Sequence, residues 1–444
     1  MSRKEHTHLR GRQGQAFADQ VRGVSAERIL CVSIDVSKDF HVVLIHNSLG
    51  EIVRPSFEID IFQSGLSHLC RAIDEAVERT KAQVVLVGME PTGHYFENLA
   101  RHLHSRPQPV TLINSYAVKQ NRSQQMMTYE KSDPIDAAAI GDLLRRGEGT
   151  LFQPVTGVYL ELQHLARARV SEVKIQTRLK NRIIGHLDRI FPGLVLTKAS
   201  VKTGRYQPLF ATDFWECQTW QHLIRVCPDP RQLAEMSPQD LIAAFHARRY
   251  RLGPVFATRI ITYAQKALIP DPEVVAIRCE LLQLDLLALD QVMTRIAHLE
   301  AGLHERVIQT PYQILSRVKG LSPTLAASLA GAIGDPAHYT YAGQVFRRSG
   351  LVSGRNDSGA HQLKGQGKGI TKVGDVHLRR ALMAVTDRLI LHQPILQAYY
   401  HRLKQAKSRG VARVATARRA TGILWATVRD QRADTLLLKG GAPM

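Results

Sequence analysis

Ile29-Leu30-Cys31-Val32-Ser33-Ile34-Asp35-Val36-Ser37-Lys38 is the stretch on which the fold turns. A short apolar run that closes on an acid and then meets polar residues has the length and composition of a buried strand, not of a helix. Further short runs follow at His41 to Ile45, Val84 to Val87 and Val110 to Ile113. Between the later runs apolar residues recur at helical spacing, at Leu66, Leu69, Ile73 and Val77 and again at Phe96, Leu99 and Leu103. Strand and helix therefore alternate, which predicts an α/β domain over residues 28–150. Residues 1–27 are polar and basic and are expected to form a disordered leader.

Two of these runs end in acids, Asp35 in the first and Glu90 in Met89-Glu90-Pro91-Thr92-Gly93. Acids at strand ends face the crevice in which α/β sheets hold ligands. Asp133 and Asp136 stand three apart at the start of a predicted helix running from Ala137 to Leu144, so both project from one helical face. Asp35, Glu90, Asp133 and Asp136 could thus converge. Each like-charged pair about 4 Å apart costs on the order of 4 kcal/mol at an effective dielectric of about 20, so the cluster needs a cation. One or two Mg²⁺ ions suit it, because Mg²⁺ takes oxygen ligands and bridges to phosphates, and an ion pair of this kind serves phosphodiester displacement. The helix-start pair has a second reading, with Asp133 as an N-cap before Pro134 and Asp136 favouring the helix dipole.

The formal net charge is +20, from 59 Lys and Arg against 39 Asp and Glu, and a field of that sign concentrates polyanions. Nucleic acid is the expected partner. No run of roughly 18 apolar residues occurs and the start lacks the apolar block of a signal peptide, so no membrane span and no export are expected. The five cysteines are scattered without C-x-x-C spacing, which excludes a zinc site or disulfide framework and fits the reducing cytoplasm.

From Val158 to Ile190 one long helix is predicted, and Leu282, Leu286, Leu289, Met293 and Ile296 mark a second with the spacing of a coiled-coil seam. Residues 151–310 then form a helical arm, or a plain pair of core helices, interrupted at about 195–265 by a subdomain carrying Trp215 and Trp220. Residues 311–444 read as a second, all-α domain. There Tyr312–Gly320 and Pro323–Ala332 flank the turn Lys319-Gly320-Leu321-Ser322 in the manner of a helix-hairpin-helix, whose amides could meet a phosphate. A Gly- and Lys-rich stretch, Ser353 to Asp375, precedes helices with Leu378, Leu382, Val385 and Leu389 and a basic tail helix with Arg413, Arg418, Arg419 and Arg429.

Ser33-Ile34-Asp35-Val36-Ser37-Lys38, Met89 to Tyr95 and Lys131-Ser132-Asp133-Pro134-Ile135-Asp136-Ala137 resemble the DEDD transposases of the insertion-sequence-110 family. The second half is similar too, through Val318 to Ser322, Gly350-Leu351-Val352, Ser358-Gly359, Gly369 to Gly374 and Leu378-Arg379-Arg380. The resemblance implies an N-terminal RNase H/RuvC-like domain in which Asp35, Glu90, Asp133 and Asp136 bind Mg²⁺, a helical arm, and a C-terminal transposase domain with a nucleophilic serine at Ser358. It further implies cutting and rejoining of donor and target DNA through a phosphoserine link, guidance by a structured RNA, and a homo-oligomer, dimer or tetramer. Lys38, Lys319, Lys364, Lys368, Lys372, Arg379 and Arg380 are the expected nucleic-acid contacts. Departures from the family pattern stand at Thr371, Ser353 and Ser322, and Ser353 and Ser349 are rival nucleophiles. Two alternatives stay open: a RuvC-like nuclease or junction resolvase in which water attacks and Ser358 is a linker residue, and a non-catalytic nucleic-acid-binding protein.

Overall fold

The computed structural model describes residues 11–124, 132–196, 208–209, 213–268, 270–354, 368–370 and 374–432. The chain divides into two compact units, Met1–Pro154 and Val155–Met444.

The first unit is built on a six-stranded sheet. Its strands are β1 (Ile29–Val36), β2 (Phe40–Asn47), β3 (Ile52–Asp60), β4 (Val84–Met89), β5 (Val110–Leu112) and β6 (Thr150–Leu151), in the spatial order β3-β2-β1-β4-β5-β6. The hairpin strands β2 and β3 and the short β6 run antiparallel to their neighbours, whereas β1, β4 and β5 are parallel. This mixed sheet is consistent with the RNase H-like domain that the resemblance implies. β3 has no counterpart among the predicted strands, for a physical reason: it is an edge strand, mostly solvent-facing and interrupted by Pro55, so it lacks the buried apolar run that marks the others.

Side chains alternate across the sheet and sort its two faces. Leu30, Val32, Ile34 and Val36 of β1 join Leu69 and Ile73 of α2 (Gln63–Thr80) and Leu99 and Leu103 of α3 (Phe96–His104) in one core. Cys31, Ser33 and Asp35 therefore face the other side, which is covered by α5 (Asp133–Arg145) with α4 (Ser115–Gln124) packed against it. Within the leader expected at 1–27 the structure places a helix, α1 (Gly11–Val21), and Phe17, Val21 and Val24 pack against the Ile29, Cys31, Leu86 and Leu144 cluster. Phe17 and Val21, four apart on α1, are enough to bury one short stripe.

The second unit is helical. Its longest elements, α6 (Gly157–Ile190) and α11 (Pro272–Val307), each about 50 Å long at 1.5 Å per residue, lie side by side. Arg306 pairs with Glu161, Arg169 with Glu300, Arg295 with Glu172 and Arg182 with Asp285, so one number falls as the other rises and the pair is antiparallel. The expected seam is only partly realised. Leu282, Leu286, Leu289 and Ile296 are buried, but Met293 is 46% exposed and Val292 takes its place. Val275, Leu282, Leu289, Ile296 and Leu303 keep a seven-residue repeat, and the departure is confined to the second row, where Val292 and not Met293 is buried.

The region expected as an inserted subdomain packs on one end of this helix pair. Four helices, α7 (Gln218–Val226), α8 (Pro230–Glu235), α9 (Pro238–Ala247) and α10 (Pro254–Ala264), bury Trp220, Leu223, Phe245 and Ile260 against Leu179, Ile183 and Leu187 of α6. Its prolines are helix starts: Pro230, Pro238 and Pro254 open α8, α9 and α10, where a missing N–H costs nothing.

At the other end of the pair, Leu162, Leu303 and Val307 belong to the same core as α12 (Pro323–Ile333), α13 (Ala342–Arg348), α14 (Val376–His392), α15 (Pro394–Ala406) and α16 (Arg409–Asp430). The element ahead of α12 is a 3₁₀ helix, Pro311–Arg317, not an α-helix, and the turn after it is closed inward. Gln393 Nε2 donates to Lys319 O at 2.8 Å, and His392 lies against Gly320. The expected helix-hairpin-helix is thus not established. β7 (Ser353–Gly354) and β8 (Lys368–Ile370) pair antiparallel. Among the described residues no helix is long and apolar enough to cross a membrane.

Candidate functional site

Asp35 is the penultimate residue of β1, half-buried, and Glu90 follows the last residue of β4. The two strands are adjacent and parallel, with Ile34 opposite Met89, so both acids leave the sheet at the same end. Alternation puts them on the same face as well, since Glu90 continues the Leu86, Gly88 series that meets Leu144 of α5. The loops are tied together there: Thr92 Oγ1 donates to Val36 O at 2.7 Å, which joins the turn after Glu90 to the strand end beside Asp35.

α5 brings the second pair of acids to this end. Leu144, in its last turn, packs on Ile29 and Leu86 near the strand starts, whereas Ala137, in its first turns, packs on Val42 and Leu44. Val42 is the cross-strand partner of Asp35. Asp136, next to Ala137, is therefore delivered to the level of Asp35, and Asp133 lies one turn earlier, half-buried. What allows α5 this close to the sheet is Gly141, where a Cβ would stand 2.3 Å from His46 Nε2 and 3.1 Å from Ser33 Oγ. Burial holds the His46 and His41 imidazoles below their ordinary range.

The helix-start acids do not cap. Ser132 occupies the N-cap position, no side chain caps this helix, and Asp133 is its first helical residue. Asp136 is instead engaged by Arg122 of α4, an ion pair in which both side chains are largely buried. The same α4 face sends Asn121 Nδ2 to Asp142 Oδ2 at 2.8 Å and to Ala139 O at 3.2 Å. Burial would push the Asp142 carboxyl up, but Asn121, Arg145 and Arg146 outweigh it and hold it below the usual carboxylate range.

Asp35, Glu90 and Asp136 are thus collected at one end of one sheet face, yet among the described residues no three Asp, Glu, His or Cys side chains are gathered closely enough to hold a metal ion. A buried carboxylate needs a countercharge, and Arg122 supplies it for Asp136. The all-oxygen donor set fits a hard divalent ion such as Mg²⁺. Nothing in the local sequence marks Arg122 or Thr92 for these contacts. Arg122 lies 14 residues from its partner and Thr92 is 56 from its own, separations at which no local pattern signals a contact.

In the second unit, Arg379 Nη1 donates to Ser349 O at 2.9 Å, while Arg380 and Lys319 are exposed. Lys38 is exposed at the β1–β2 turn. Ser349 is fully buried and its hydroxyl donates to Phe346 O at 2.6 Å, so it is not available as a nucleophile, contrary to its standing as a rival. Its place at the end of α13 explains this: the hydroxyl closes the helix's last carbonyls. Ser358, Lys364 and Lys372 lie outside the described residues, and the backbone alone is described at Lys368 and Ser353.

Comparison with known families gives two matches. A DEDD transposase model of the insertion-sequence-110 family, described as Transposase, matches residues 32–192, and a model described as Transposase IS116/IS110/IS902 family matches residues 312–401. Together they cover more than half of the chain and both of its units. No curated protein matches it.

Proposed function

Because the chain belongs to the DEDD transposases of the insertion-sequence-110 family, whose substrate is DNA, we propose that it cuts and rejoins DNA with Asp35, Glu90, Asp133 and Asp136 as a Mg²⁺-holding set and Ser358 as nucleophile. The observation that supports this most is the delivery of Asp35, Glu90 and Asp136 to one end of the face between the sheet and α5. A divalent ion held by such carboxylates would neutralise charge on a phosphodiester and lower the pKa of an attacking hydroxyl. Asp136 would join Asp35, Glu90 and Asp133 in holding such an ion once free of Arg122.

In the transfer step the Ser358 Oγ–P bond forms as one P–O bond of the DNA strand breaks, and the serine proton ends on the leaving oxygen. Phosphodiester energy is conserved in the phosphoserine, so a second DNA hydroxyl reverses the step without ATP. Arg and Lys contacts grip the strand meanwhile. The selection of donor and target by a structured RNA, and a dimeric or tetrameric assembly, belong to the same proposal by family likeness.

Trapping tests it. Incubated with donor DNA and Mg²⁺, the wild-type chain should yield a DNA adduct that survives denaturation, absent in Ser358→Ala and in Asp35→Asn. DNA cleavage by Ser358→Ala without an adduct would replace the serine with water. Retention of cleavage in Asp35→Asn would remove the carboxylates from the chemistry.

A further inference from the structure

The helical unit contains a cleft of about 340 Å³ between α6, α12 and α14, separate from the carboxylates. Its floor is apolar, formed by Val170 and Val173 of α6, Leu325 and Ala332 of α12, and Ala381 and Ala384 of α14. α12 can approach α6 here because of Gly331, where a Cβ would meet the Leu162 and Gln163 backbone at 2.7 Å. The rim is cationic. Arg167, Lys174 and Arg380 all face it, and among the described residues none of the three has a carboxylate partner.

The acid lining the cleft, Asp375, is committed elsewhere: its carboxylate accepts the His377 and Leu378 amides at 2.8 and 3.0 Å and pairs with Arg348. Arg167 Nε is buried without a hydrogen-bond partner. Orphaned buried donors are rare, and a bound water or anion is one of the few ways to satisfy them. His377, also on the rim, is kept toward its neutral form by burial first and then by Arg167, Arg380 and Lys174, against the opposing pull of Asp375.

Three uncompensated cations around an apolar floor describe a ligand with one flat apolar part and several negative charges spaced along it. We infer that this cleft receives an unstacked nucleotide of a DNA strand, the base on the apolar floor and the flanking phosphates on Arg167, Lys174 and Arg380. The cleft is within the size range of small-ligand pockets, and unstacked bases are bound by apolar walls while backbone phosphates go to cations. The assignment to DNA rests on family membership. It does not depend on the carboxylate chemistry.

The test uses the full chain without divalent metal and a fluorescent single-stranded DNA, with RNA of the same sequence as comparison. Replacing the three cations by Gln (Arg167→Gln, Lys174→Gln, Arg380→Gln) should weaken DNA binding at least tenfold and shrink the slope of log affinity against log salt by about two, near 0.7 per lost phosphate contact. Ala384→Leu fills the cleft with every charge in place. It should weaken binding severalfold and abolish the fluorescence rise of a 2-aminopurine placed in the strand, with the melting temperature retained. Unchanged DNA affinity in both variants overturns the inference, and a loss confined to RNA overturns the DNA assignment. Because the assay omits divalent metal and reads binding, not cleavage, failure of the cleft and failure of the catalytic proposal are told apart.

Discussion

The candidate sites of the two units handle charge in opposite ways. In the sheet unit the acid Asp136 is buried beside Arg122, and Asp142 is held by Asn121, Arg145 and Arg146, so each buried carboxylate has a protein countercharge. In the helical unit Arg167, Lys174 and Arg380 face a cleft with no carboxylate partner among the described residues. The difference teaches where each unit expects its ligand to bring charge. A site that stores its own compensation can exchange it for a metal, whereas a site of bare cations is completed only by a polyanion.

The sharpest way to break that contrast is at the carboxylates. Asp35→Asn or Glu90→Gln should lower DNA cleavage at least a hundredfold, a barrier increase of about 3 kcal/mol, in a single-turnover assay with Mg²⁺. Activity within a few-fold of wild type would dissolve the site. Next in size is Arg122→Gln, which leaves Asp136 without its partner. Breaking a buried pair from one side costs on the order of 3 kcal/mol, so metal-free thermal stability should fall, and Mg²⁺ should restore part of it if the ion takes the place of the guanidinium. A Mg²⁺-independent loss would mean that Arg122 is structural only.

Gly331→Ala probes the helical side of the comparison. The added methyl meets α6 backbone, not a movable side chain, so α12 must shift, at about 1–3 kcal/mol by chemical denaturation, and the cleft should lose affinity for DNA in parallel. The smallest effect is pH-dependent. His41 and His46 have folded pKa values depressed by burial, so the unfolded chain binds more protons. Stability of the sheet unit should therefore fall gradually as pH drops below the ordinary histidine value of 6.5. Asp142, also depressed, adds a second loss as pH falls below its unfolded value of 3.8 toward its lower folded one. Denaturant midpoints flat between about pH 7 and 5 would contradict the histidine part.

Legibility followed burial. β1, β2 and β4 are apolar runs enclosed on both faces and were readable from composition, and so were the long helices α6 and α11. β3 escaped because an edge strand needs no apolar run, and α1 because one stripe with Phe17 and Val21 is too short to stand out from a basic leader. The seam reading missed at Met293, where the neighbouring Val292 turns inward instead, because which of two adjacent apolar residues is buried depends on the partner helix. Ser349 is a serine whose role depends wholly on its neighbours: the motif made it a rival nucleophile, and its burial under the end of α13 removes it.

Taken alone, the chain's residues decide that strands alternate with helices in the first third, that acids stand at two strand ends and one helix start, and that the molecule carries a strong positive field. Those are consequences of local periodicity and of charge, which need no partner to be read. Tertiary structure alone decides that β1 and β4 are neighbours, that Arg122 meets Asp136, and that α6, α12 and α14 enclose a cationic cleft. Such contacts join residues far apart in sequence, and they exist only because packing of apolar faces brings their backbones together.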